Sequence, residues 1–358
     1  MNKKRTALLG VSLALGLTLA GCMNAPESGD APKADTGFAD DIHSPITCTN
    51  SPTTADLLSG TAPKADDKYS VAVLLASLGG YYYQGMAYGA QKAADEAGVD
   101  VTIFAGDGYT SPEAQLSQAQ TAIQQGADAI VLQPVDPRGS LPVLAAAKAA
   151  GIPLIITSTE LASSEPDATI IQDDYAIGMA GADQLAELHP EGGEGVLIAG
   201  PATSTWSLKR AAGFADRLAD KYPDFSIVAD PQQIVDPAQG LQDFTAAVQA
   251  NPDVEWVYSV FFYQLLPDSL PAAYADIPFV TTGYEPTAIS ALESGSLSTT
   301  VQLGNVWFGY EPVLDAVRLL NGDDVPKVTC LPYDTYTKAD IGNESAAAEL
   351  YPADFVAK

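Results

Sequence analysis

From Tyr69 onward the chain alternates short β-rich runs with helix-length segments whose apolar residues recur every three or four positions. The runs are Val71–Leu75, Val101–Phe104, Ala129–Leu132, Leu154–Thr157, Thr169–Ile171, Gly195–Ala199, Phe225–Val228, Trp256–Ser259, Phe279–Thr281 and Thr299–Val301. Between most of them lie amphipathic stretches such as Tyr88–Ala97, Ala114–Gln125, Leu141–Ala150, Leu208–Asp220 and Leu241–Ala250. Alternation of this kind predicts parallel sheets with helices on both faces, and about ten strand–helix units predict two doubly wound sheets rather than one. Ser111-Pro112-Glu113, Asp136-Pro137 and Asp236-Pro237 each set a capping side chain before a proline suited to a first helical turn. Ala-Gly at 97–98 and 150–151 supplies helix stops.

Before Tyr69 the texture is different. Residues 1–5 carry three positive charges and Ala7–Ala20 none of either sign, the layout of a secretory signal. The apolar run is shorter than the about 20 residues a membrane span needs. It ends in Leu19-Ala20-Gly21-Cys22, which resembles the bacterial lipobox, where cleavage leaves the cysteine first and its sulfur carries diacylglycerol. Residues 23 to 67 are rich in Ala, Pro, Ser, Thr, Asp and Gly, and Ala-Pro-Lys-Ala-Asp occurs at 31–35 and again at 62–66. Such composition buries too little apolar surface to offset chain entropy, so 22–67 is expected to be a flexible tether, ordered at most around Cys48. With Cys22 lipidated, Cys48 and Cys330 are an even pair in an oxidising compartment. A Cys48–Cys330 disulfide is predicted, strapping the N-terminal extension to the C-terminal region, and no Cys-x-x-Cys spacing points to metal.

Removing residues 1–21 takes away three of 17 basic residues and none of 45 acidic ones, moving the formal net charge from −28 to −31. A chain this acidic repels nucleic acid, whose phosphates need clustered Lys and Arg. The remaining length of the mature chain exceeds what one core usually serves, which predicts two lobes.

Several segments then carry a resemblance. Residues 82–94, Tyr82-Tyr83-Gln84-Gly85-Met86-Ala87-Tyr88-Gly89-Ala90-Gln91-Lys92-Ala93-Ala94, resemble the first helix entry of type I periplasmic binding proteins, the ribose- and galactose-binding group. Gln125-Gly126-Ala127-Asp128-Ala129-Ile130-Val131-Leu132-Gln133-Pro134-Val135-Asp136, then Ala149 to Ile155, are similar to that family at its spacing. So are Lys209-Arg210-Ala211-Ala212-Gly213-Phe214, Gly283-Tyr284-Glu285 and Thr300-Val301-Gln302. The resemblance covers roughly Tyr69 to Tyr336 and implies two lobes joined by a three-segment hinge with ligand in the cleft. It places the N-terminal lobe at 68–173 plus 303–328, the C-terminal lobe at 174–302 plus 329–340, and a tail at 341–358. Crossings fall near Gln172–Asp174, Gln302–Gly304 and Thr329–Leu331.

In open α/β sheets ligands meet loops at the carboxyl ends of strands. Those loops hold Tyr81–Tyr83, Gly106–Asp107, Asp136, Ser158–Glu160, Asp173–Tyr175, the loop ending at Trp206, Phe261–Tyr263, Tyr284–Glu285 and Gln302–Trp307. None of them contains Lys or Arg. Two histidines, His43 and His189, leave a Ser-His or Cys-His pair almost nothing to work with, and no Gly-x-Ser-x-Gly elbow, Walker loop or metalloprotease helix occurs. No enzymatic activity, cofactor or metal is expected. Sugar-binding relatives place Asp-Arg where this chain has Ser158-Thr159, a second arginine near Leu208, and Asn-Asp where it has Phe261-Phe262. Tyr82 and Tyr83 match the aromatic pair that stacks on sugars, Asp174 and Glu285 match acidic positions, and Gln302 matches the cleft glutamine.

The expected ligand site is Tyr82, Tyr83, Asp174, Trp206, Phe261, Glu285 and Gln302. Two ligand classes fit it: a neutral sugar or polyol stacked on the tyrosines, or an alkylammonium ion facing the aromatic rings and balanced by Asp174 or Glu285. The expected protein is a monomeric substrate-binding lipoprotein, outside the cytoplasm and held to the cell membrane by its lipid, that feeds an ABC permease. The alternative is a binding protein that signals occupancy to a receptor kinase. Trp256, Phe261, Phe262, Tyr81 and Tyr88 each have core packing as the competing reading.

Overall fold

The structure, a computed structural model, describes residues 41–357 except 203, 233 and 234. The signal segment and Cys22 therefore lie outside the described residues. Two six-stranded sheets form the body. The first has the order β11-β5-β4-β3-β1-β2, with β1 Ser70–Leu75, β2 Asp100–Ala105, β3 Ala129–Leu132, β4 Leu154–Thr157, β5 Ala168–Ile171 and β11 Val328–Cys330, all parallel. The second has the order β12-β10-β9-β8-β6-β7, with β6 Gly193–Ile198, β7 Phe225–Ala229, β8 Val254–Ser259, β9 Phe279–Thr282, β10 Thr299–Val301 and an antiparallel edge, β12 Thr335–Tyr336. These are two doubly wound α/β lobes of the type I periplasmic binding protein architecture. Strands β1, β3, β4 and β5 are buried nearly throughout, which is why they read as continuous apolar runs rather than as alternation.

Helices α2 Tyr81–Ala97, α3 Pro112–Gln124, α4 Leu141–Ala150 and α9 Trp307–Asn321 cover the first sheet. The second is covered by α5 Asp174–Leu188, α6 Thr205–Lys221, α7 Pro237–Ala250 and α8 Pro286–Ser294. Ser111 caps α3 through the N–H of Ala114, and Asp236 caps α7 through Ala238 and Gln239. Gly98 and Gly151 end α2 and α4 in the left-handed conformation. Asp136-Pro137 does not start a helix. The Asp136 carboxylate accepts from the N–H groups of Arg138 and Gly139, a local turn, and α4 begins only at Leu141.

Each lobe holds one helix pair in backbone contact. A Cβ on Gly89 of α2 would fall 1.9 Å from the carbonyl oxygen of Val306, and one on Gly309 of α9 would fall 1.8 Å from that of Met86. In the second lobe Gly178 of α5 and Gly213 of α6 lie equally close to the carbonyls of Arg210 and Tyr175. Any side chain at these positions would separate the helices.

The chain crosses between lobes after β5, after β10 and after β11. The segment expected as a tether is, from residue 41, laid against both lobes. His43 Nδ1 meets Asp216 of α6 at 2.8 Å, the N–H of Ile46 donates to Asp173 at 3.1 Å, and Asn50 bridges to Thr329 beside β11. Cys48 and Cys330 are joined, with Cα atoms 5.7 Å apart. A short helix, α1 Thr54–Ser59, follows, with Thr54 donating to Asp334 at 2.6 Å. The final residues are also packed. Within α10 Glu344–Ala347, Ala346 joins the second lobe's core, and after it Ala348, Phe355 and Ala357 lie on the first lobe's core. Composition hid the N-terminal contacts because many of them are made by side-chain oxygens, backbone groups and a disulfide, with only scattered apolar residues such as Leu57 and Ala62 on the core.

Candidate functional site

The first lobe brings an uncharged network to the cleft. Gly80, with φ of 84°, turns the chain so that α2 opens on Tyr81, Tyr82 and Tyr83. The Tyr82 hydroxyl lies 2.7 Å from Ser158 Oγ. Gln133, fully buried at the end of β3, donates to Ser158 Oγ at 3.2 Å and to the Tyr109 hydroxyl at 3.0 Å, and accepts from the N–H of Ala76 at 3.0 Å. Tyr109 also reaches Thr159 at 3.4 Å. Ser158 has φ of 65°, a left-handed conformation that costs a non-glycine residue about 1–2 kcal/mol and that aims its hydroxyl into this network. Burial pushes the Tyr82 and Tyr83 hydroxyls far above their ordinary range, so both remain protonated donors.

The second lobe brings charges, and it brings them paired. Asp173 caps α5, accepting from the N–H of Ala176 at 3.1 Å, and so presents Asp174 as the first helical residue. The glycine contact between α5 and α6 lays Arg210 against it. Arg210 donates to Asp174 Oδ1 from Nε at 2.8 Å, with Nη2 at 2.7 Å from the same oxygen, and from Nη1 to the Val260 carbonyl at 3.1 Å and Thr282 Oγ1 at 3.0 Å. Its guanidinium stands 5.0 Å over the Trp206 ring. Trp206 meets Phe261 edge-on with centroids 6.1 Å apart. Between the lobes, Lys209 Nζ contacts Glu160 Oε1 at 2.5 Å, with both side chains under 5% exposed. Burial pushes Glu160 up to about 7 against the pull of that ammonium.

Tyr82 and Phe261, one from each lobe, pack on the same small apolar cluster of Ile177, Val301 and Leu303. Glu285, at the N-terminus of α8, is 4% exposed, and its Oε1 has no hydrogen-bond partner. Burial pushes its carboxyl up to about 7, with a hydrogen bond from Tyr263 opposing.

Of the seven residues expected at the site, Tyr82 and Phe261 meet on one apolar cluster between the lobes, Tyr83 and Trp206 pack edge-on against them, and Glu285 is buried with one oxygen unpartnered. Asp174 is there but committed to Arg210. Gln302 is fully buried and held by protein at both ends: its Oε1 accepts from Tyr336 at 2.9 Å and its Nε2 donates to Glu349. Trp256 and Phe262 are core residues, while Tyr81 and Tyr88 pack on Tyr351 and Phe355. The expectation that the cleft lacks Lys and Arg is corrected. Lys209 and Arg210 sit in the first turns of α6 rather than in a strand-end loop, and the spacing Trp206, Arg210, Gly213 on one helical face was the signal for it.

The family model for the periplasmic binding protein domain matches residues 71–324. The chain belongs to the periplasmic binding protein family. Within that family it is 24% identical over 261 residues to the ribose import binding protein of Escherichia coli K12, covering 72% of this chain and 87% of the relative. It is 27% identical over 251 residues to the xylitol-binding protein of Mycolicibacterium smegmatis, covering 66% and 69%. A solved carbohydrate transporter solute binding protein from Agrobacterium radiobacter, in complex with D-arabinose, superposes with a TM-score of 0.72 at 22% identity, covering 80% of this chain and all of that one. No helix among the described residues is long and apolar enough to cross a membrane.

Proposed function

We propose that this periplasmic binding protein is an extracytoplasmic lipoprotein, anchored through Cys22, that captures a neutral sugar or polyol between its lobes for an ABC importer. The observation that carries the ligand class is the contrast at the cleft. Tyr82 with Tyr83 and Trp206 with Phe261 supply aromatic rings from the two lobes and Glu285 carries a buried oxygen without a partner, while Arg210 and Lys209 are already paired with Asp174 and Glu160. Sugars offer C–H faces to rings and hydroxyl donors to such an acceptor. An anionic ligand would find both cations engaged. An alkylammonium ion would find the Trp206 ring already facing Arg210. Asp174 then acts through Arg210, and Gln302 through the hinge. The names of the relatives, which bind ribose, xylitol and D-arabinose, support the same class. Hinge closure is the mechanism: the ligand touches both walls, so the closed form gains contacts that the open form lacks.

A thermal-shift screen of the mature protein with xylitol, D-ribose, D-arabinose, choline and succinate tests the class. A ligand at 100 times its Kd stabilises by about 2.7 kcal/mol. Stabilisation by a sugar or polyol is expected, and stabilisation by choline or succinate alone would overturn the proposal. The anchor has its own test. Cys22→Ala should move the protein from the membrane to the soluble fraction, and unchanged membrane attachment would contradict it.

A further inference from the structure

The C-terminal residues lie beyond the family match, which ends at 324, yet they pack against both lobes. Ala346 and Leu350 pack on the second lobe's core, and Phe355 and Ala357 on the first lobe's. At the transition Glu349 is fully buried, accepts from Gln302 Nε2, and faces the backbone N–H groups of Asn305 and Val306, in the crossing between β10 and α9. Its other oxygen, Oε2, has no partner. Two residues on, the Tyr351 ring stacks on Tyr81 with centroids 4.3 Å apart, and the Tyr351 N–H donates to the Tyr81 hydroxyl at 3.3 Å. Tyr351 is also close enough to Glu285 and Tyr263 of the second lobe for their charges to act on it.

We propose that the C-terminal tail is a working part of the ligand cleft, in which Glu349 and Tyr351 form a clasp that bridges the lobes beside Glu285, positions Gln302 and must release before the lobes swing apart. The inference takes its meaning from the cleft being a ligand site, but it is testable without any ligand. It adds a connection between the lobes beyond the three crossings of the main body and the N-terminal strap, held by side-chain packing and polar contacts rather than by a sheet. Glu349 is a positioning residue. A neutral acid suits its place, since the ionisable groups around it, Asp334 before β12, Tyr336 of β12 and Tyr81 of α2, with Glu285 beyond Tyr81, supply no positive charge. Burial pushes its carboxyl up to about 8. A released tail would hold an ordinary carboxylate. Docking is therefore strongest at low pH and weakens as pH rises from the ordinary carboxylate range to about 8.

Hydrogen exchange on the ligand-free mature protein reads the clasp directly. Glu349→Ala and Tyr351→Ala should speed exchange about tenfold in segments 302–306 and 81–86 while leaving β8 protected, a local opening rather than unfolding. Glu349→Gln keeps an uncharged group of the same shape and should restore wild-type protection at pH 5.5. At pH 8.5 the wild type should exchange about tenfold faster in 302–306 than Glu349→Gln, a comparison in which intrinsic rates and the titration of Glu285 are common to both. Should the alanine variants fail to fold, this last comparison decides alone. Equal rates for wild type and Glu349→Gln at both pH values would overturn the clasp, whichever ligand the cleft takes.

Discussion

The two lobes share a strand order and a glycine-mediated helix pair, but they meet the cleft with different chemistry. In the first lobe Gln133 gathers Ala76, Ser158 and Tyr109 through uncharged hydrogen bonds. In the second, Arg210 gathers Asp174, Val260 and Thr282 around a buried charge. The difference divides the labour. An uncharged network of hydroxyls adapts its donors and acceptors to a ligand, whereas a buried ion pair is costly to disturb and so fixes the wall that carries Trp206 and Phe261.

The comparison breaks most sharply at Arg210. Arg210→Ala leaves Asp174 buried without a counter-charge and should cost about 3–5 kcal/mol in denaturant unfolding. A loss under 1 kcal/mol would mean that the pair does not organise the second wall. Glu285 gives the next effect, because its folded carboxyl holds a proton up to about 7 while the unfolded chain releases it in the ordinary carboxylate range. The folded state therefore binds more protons across that window, and its stability falls as pH rises through it. Glu285→Gln removes this slope and should be about 2–3 kcal/mol more stable than wild type at pH 8, with little difference at pH 4. Matching slopes in thermal melts would refute the assignment. The smallest effect belongs to the first wall. In Tyr82→Phe, Ser158 keeps its bond from Gln133, so the loss should be about 0.5–1.5 kcal/mol. A larger loss would show that the network is less adaptable than its uncharged partners imply.

The fold was legible because both sheets are buried on both faces: Val71–Leu75 and Ala129–Leu132 have no polar residue to obscure them. That Tyr82 and Tyr83 open a helix was legible for a related reason, since they follow a buried strand at a glycine turn. Arg210 and Lys209 were missed as cleft residues because they sit on a helix, where facing depends on how α6 crosses α5, and that crossing is set by Gly178 and Gly213, residues silent in a hydrophobic pattern. Gln302 was placed at the right strand end, but its partners come from Glu349 and Tyr336, distant in sequence, and no local pattern reveals them. Asp136-Pro137 carried a correct local signal for a turn and a wrong one for a helix start, since the same side-chain cap serves both.

The most direct test of the account is a crystal structure of the mature protein with the sugar or polyol that stabilises it most. The ligand ring or chain is expected between Tyr82 and Tyr83 on one side and Trp206 and Phe261 on the other. A hydroxyl should donate to Glu285 Oε1, with Arg210 still on Asp174. A ligand seated elsewhere, or one bound in the cleft with Glu285 untouched and the Arg210–Asp174 pair opened to receive it, would contradict the division between an adaptable wall and a fixed one.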